Sequence, residues 1–110
     1  PISQDLRHVQ VMLAEALSQA PPSADMIYLE FCYETCANVT YSQSRPLLAR
    51  AFAPSCSAAI FYTIKGARRI SQLCVPVFDV IDRMYQFLIQ TRLLEAYLSL
   101  PPIFVQDKFW

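Results

Sequence analysis

Glycine is almost missing from this chain of 110 residues: there is one, Gly66, against eight prolines. Tight hairpin turns draw on glycine for backbone conformations at positive φ, so a sandwich of hairpins is disfavoured, and a glycine-rich phosphate-cradling loop is ruled out. Charge is scarce as well. Asp, Glu, Lys and Arg make up 16% of the residues, where about 25% is usual. With so few charges to cover the exterior, part of the surface must be apolar or aromatic, as on a subunit that buries a face against another protein. Histidine occurs once, at His8, on the polar side of its segment with only Glu15 two turns away as an acidic neighbour, which gives catalysis little local support. Long apolar runs are missing too. The greasiest stretch, VPVFDVIDRMYQFLIQTRLLEAYLSL, is interrupted by Asp79, Asp82, Arg83, Arg92 and Glu95 and falls short of the roughly 20 apolar residues that span a bilayer. The opening PISQDLRHVQ has neither the charged flank nor the apolar core of a secretory signal, although a processed or trimmed chain would look the same.

What remains is rich in helical periodicity punctuated by proline. From Gln4 to Gln19, Leu6, Val9, Leu13, Ala16, Leu17 and Ala20 fall on one side at about 100° per residue, with Ser3 as a candidate N-cap; Pro21-Pro22 stops the run. Ser23 and Asp25 signal a second helix reaching about Gln43, with Glu30, Glu34, Asn38 and Tyr41 as its polar stripe. Ser44-Arg45-Pro46 opens a short helix, LLARAFA, and SAAIFYTI forms another that stops at Gly66. In that reading Gly66 is a C-terminal cap, and Lys65 in the last turn suits the negative end of the helix dipole. A further helix starts at Ala67, and the longest runs from about Val77 to Leu100. The expected architecture is therefore all-α: five to six helices with proline-marked breaks, in a compact bundle or a HEAT-like array of helical hairpins, as a single domain over 1–110 or a fragment of a larger helical protein, with 101–110 an apolar, aromatic tail.

The long helix contains an irregularity. Asp79, Asp82, Arg83, Gln86 and Gln90 share one face and Val77, Ile81, Met84 and Leu88 the other; beyond Gln90 the assignment reverses, so that Leu93, Leu94 and Tyr97 project where the polar side had been. Either the helix breaks near Gln90 to Arg92, or its second half buries Leu93, Leu94 and Tyr97 against a partner.

Four cysteines, at 32, 36, 56 and 74, raise metal binding and disulfides. Cys32 and Cys36 lie one helical turn apart, but no second closely spaced pair exists, so zinc ligation is a weak signal beside buried free thiols. An oxidised form would pair Cys32 or Cys36 with Cys56 or Cys74. Asn38-Val39-Thr40 matches a glycosylation acceptor, though a three-residue pattern arises readily by chance. Asp79 and Asp82, spaced i and i+3, read as a solvated stripe rather than a catalytic pair. No cofactor, metal site or catalytic residue is expected.

Net charge is zero, yet the chain is polarised: residues 1–34 sum to −4, residues 35–78 to +5 with no acid, and residues 79–110 to −1. Arg45, Arg50, Lys65, Arg68 and Arg69 are the candidate cations for an acidic partner or phosphates, against the alternative that they neutralise acids of the same fold. Arg68 and Arg69 stand out, because cations at the start of a helix oppose its dipole. The leading functional expectation is a non-enzymatic, intracellular protein-interaction or assembly subunit. It would dock a partner or a second copy through Leu93, Leu94 and Tyr97 together with Phe104, Phe109 and Trp110 of the tail. The alternatives are a nucleic-acid adaptor using the basic middle, and a secreted, disulfide-bonded, cytokine-like helical signal.

Overall fold

The computed structural model describes residues 2–30, 47–57, 59–100 and 103, and every structural statement below concerns these. Their elements run α1 (Ile2–Gln19), β1 (Met26–Tyr28), β2 (Leu47–Arg50), β3 (Ile60–Tyr62), α2 (Ile64–Leu73), α3 (Ile81–Gln90) and β4 (Ala96–Leu100). The four strands form one mixed sheet in the order β2-β4-β1-β3. This corrects the all-α expectation: three helices accompany a sheet, and neither a helical bundle nor a helical array is present among the described residues.

The sheet escapes the glycine argument by its topology. β1 pairs antiparallel with β3 and parallel with β4, and β2 pairs antiparallel with β4, so no two strands consecutive in sequence are neighbours. None of these pairings needs a tight hairpin turn, and one glycine suffices. Scarcity of glycine excluded hairpins, not sheets.

Each mistaken helix has a local cause. SAAIFYTI and LLARAFA contribute β3 and β2, and the segment after Asp25 begins as β1, whose three residues are too few to display a period. The supposed half-turn reversal after Gln90 is the end of α3 followed by a strand. Arg92, at φ 64°, turns the chain, with the Leu93 and Leu94 amides returning to the Leu88 carbonyl at 2.9 and 3.0 Å. Ala96, Leu98 and Leu100 then alternate with Tyr97 and Ser99, a two-residue period that had been folded into a helical one.

The core lies on one face of the sheet. Met26 and Tyr28 of β1, and Ala96 and Leu98 of β4, pack with Leu94 and Ala51 against Met84, Tyr85, Leu88 and Ile89 of α3 and Cys74 at the end of α2. The four α3 residues at i, i+1, i+4 and i+5 form the single apolar stripe a helix needs to cover a sheet. On the opposite face Ile27 and Ser99 are fully buried as well, as befits central strands. The edge strand β2 is guarded by α1, whose Gln19 side-chain carbonyl accepts the Leu48 amide at 3.0 Å. Among the described residues no helix is long and apolar enough to cross a membrane.

Candidate functional site

Two places in the fold concentrate chemistry. The first is Asp25, just before β1 and 1% exposed. A carboxylate in that position needs partners for its charge, and the parallel pairing of β1 with β4 brings them. The Glu95 amide donates to Asp25 Oδ2 at 2.7 Å, and the Asp25 amide returns to the Glu95 carbonyl at 2.8 Å. From α2, Lys65 Nζ donates to Asp25 Oδ1 at 2.8 Å and to the Ser23 carbonyl at 2.7 Å, while Arg69 Nε stands 3.7 Å from Oδ2. The Arg69 guanidinium also donates to the Leu93 carbonyl through Nε at 3.1 Å and through its NH2 group.

Helix α2 can approach this closely because of Gly66. The sequence reading made Gly66 a C-terminal cap; it is instead the third residue of α2, and a Cβ there would lie 1.8 Å from the Asp25 carbonyl oxygen. Thr63 is the N-cap, its hydroxyl accepting the Gly66 amide at 2.9 Å and donating to the Ala24 carbonyl at 2.8 Å. Lys65 accordingly sits in the first turn, where the helix dipole disfavours a cation, and the buried Asp25 carboxylate compensates.

Around this centre, Glu95 accepts Ser23 Oγ and the Tyr97 hydroxyl, each at 2.7 Å, and these two bonds hold its carboxyl below the usual range. Burial, and then the bond to Glu95, push Tyr97 up. Arg50, opposite Tyr97 across the β2–β4 pair, lays its guanidinium 5.7 Å from the Tyr97 ring centroid. Of the candidate cations, Lys65 and Arg69 therefore meet the acidic first third of the chain through Asp25, and Arg50 meets Tyr97. The Arg68 side chain is exposed, and Arg45 lies outside the described residues. Both Asp25 oxygens are occupied by donors. The arrangement joins α2, β1 and β4.

The second place is a surface. Val75, Val77, Phe78 and Val80 of the α2–α3 connection, with Ile81 and Phe87 of α3, are each between 46% and 72% exposed. Phe78 and Phe87 meet edge to face with centroids 6.0 Å apart. Asp79 and Arg83 belong to the same surface, their charged ends 4.0 Å apart. Asp82 turns away, accepting the Cys56 amide at 3.1 Å, and Gln86 donates to the Pro54 carbonyl at 3.1 Å, so the 54–56 loop is tied to the other flank of α3. Sequence reading passed over this surface by placing Val77, Phe78 and Val80 inside a helix. Its signal was the run VPVFDVI, five apolar residues around a proline with no period to bury them.

The proposed docking residues scatter. Leu94 is fully buried in the core, Tyr97 is half-buried under Arg50, and Leu93 is exposed. Phe104, Phe109 and Trp110 lie outside the described residues, as do Cys32, Cys36 and the Asn38 acceptor. Cys56 is disulfide-bonded; Cys74 is free, and burial pushes its thiol up. Among the described residues no group of three or more His, Cys, Asp or Glu is placed to hold a metal ion. Comparisons with protein-family models, with curated proteins and with solved structures find no match.

Proposed function

We propose that the chain is a non-enzymatic protein-interaction module that docks a protein through the surface formed by Val75, Val77, Phe78, Val80, Ile81 and Phe87. The observation that carries this reading is the exposure of six large apolar side chains within thirteen consecutive positions, in a chain short of charge. Side chains of that kind, close together in sequence and with two aromatic rings in contact among them, are the anchors of protein interfaces. The nucleic-acid alternative is the weaker, since Lys65, Arg69 and Arg50 are engaged within the fold. The test is retention of proteins from native lysate by the wild-type chain and by Val77→Asp and Phe87→Asp variants shown by circular dichroism to be folded. A stoichiometric protein, another copy of the chain included, held by wild type and lost by both variants is expected. Wild type holding none, or variants holding it equally well, would end this reading.

A second reading, a secreted, disulfide-bonded signalling protein, is favoured by the bridge at Cys56, because structural disulfides persist in oxidising compartments. Alkylation of the folded protein made in a secreting cell should leave Cys56 protected until reductant is added; a freely alkylated Cys56 would sink it.

A further inference from the structure

The apolar surface at 75–87 carries one acid and one base, and that composition bears on what covers it. Asp79 and Arg83 are 40% and 74% exposed and only loosely paired, at 4.0 Å. Arg83 is one helical turn from Phe87 on α3, and Asp79 lies between Phe78 and Val80 in the connection that leads into it, so both charges have exposed apolar neighbours. Asp82, the other nearby acid, is turned towards the 54–56 loop.

We infer that the occupant of this surface is a second copy of the same chain, related by a two-fold axis. The inference rests on the interaction reading above and names its partner. In a two-fold contact each surface patch meets itself, and an axis passing between the two groups sets Asp79 of one protomer against Arg83 of the other and forms the reverse pair at the same time. A partner offering one sign of charge would satisfy one of the two groups and repel the other. The chain as a whole has no net charge, so two copies meet without the long-range repulsion that keeps charged proteins apart. The apolar side chains, with the Phe78–Phe87 pair among them, supply the driving force, and the two reciprocal ion pairs select the register.

Sedimentation velocity on the full chain over a dilution series tests this. The expected result is a dimer that dissociates on dilution. Arg83→Asp and Asp79→Arg, each placing like charges across the axis, weaken self-association about tenfold. Mixed together, the two variants form a heterodimer, because two acidic groups then face two basic ones. Phe87→Asp gives a monomer with an unchanged circular dichroism spectrum; should it fail to fold, the charge variants decide alone. A wild-type chain that stays monomeric overturns the inference, whether it is then carried down by lipid vesicles or holds an unrelated protein through Val77. A dimer indifferent to both charge reversals overturns it too. Monomeric wild type that still retains a lysate protein in a Val77-dependent way leaves the interaction reading intact, whereas monomeric wild type that retains nothing ends both.

Discussion

A Cβ at residue 66 would come within 1.8 Å of the Asp25 carbonyl oxygen, and this one contact accounts for the chain's single glycine. The obstacle is backbone on both sides, so the collision cannot be relieved by a rotamer change. Gly66→Ala must lift α2 from β1, loosening the Lys65 and Arg69 contacts with Asp25; a loss of about 3 kcal/mol is expected from urea unfolding. Asp25 gives a second measure of the same junction. Asp25→Asn keeps the volume but presents an amide either to the Lys65 ammonium or to the Glu95 N–H, and both of those are donors. A cost of about 2–4 kcal/mol is expected. Lys65→Met should cost less, about 1 kcal/mol, because the Lys65 side chain is 48% exposed and Asp25 retains Arg69 and the Glu95 amide. If Asp25→Asn proves as stable as wild type by urea unfolding, the carboxylate is not the joint described above. Asp25 itself was legible only as a helix start signal. Its three partners are 40 to 70 residues away in sequence, beyond any local pattern.

At the scale of elements, the strand β4 depends on how its entry is held. Glu95, the residue before it, binds Ser23 and Tyr97, and these bonds depress its pKa. A carboxyl whose folded pKa lies below the unfolded value of about 4.3 adds stability above that value and loses it as pH falls through the folded one. The stability difference between wild type and Glu95→Gln should therefore be constant from neutral pH to about pH 5 and shrink below about pH 4. A difference independent of pH, read from urea midpoints across that range, would remove Glu95 from the acid response. Among the elements, α1 was readable because eighteen residues display several turns and Pro21-Pro22 stops them. Helix α3 was readable as the first half of the expected 77–100 helix. The strands were not, being three to five residues long and built partly from Ala, Leu and Met, which favour helices in isolation. Edge and central position, settled only by pairing, overrode propensity.

For the whole molecule, the sheet makes a spectroscopic claim against the helical architecture first expected. The far-UV circular dichroism of the chain should show mixed helix and strand; a spectrum dominated by helix throughout would contradict the fold. The sequence by itself determined that the first helix ends before Pro21-Pro22, how the charge is polarised and that some apolar surface stays uncovered, because proline geometry, charge order and composition are properties of the chain alone. Only the tertiary structure decided that short segments pair as a sheet and that Lys65 and Arg69 are engaged by Asp25. It also decided that the uncovered surface lies at 75–87, while Leu94 joins the core. Each of these depends on which distant residues meet, and contacts between non-consecutive strands leave no period in the sequence from which to read them.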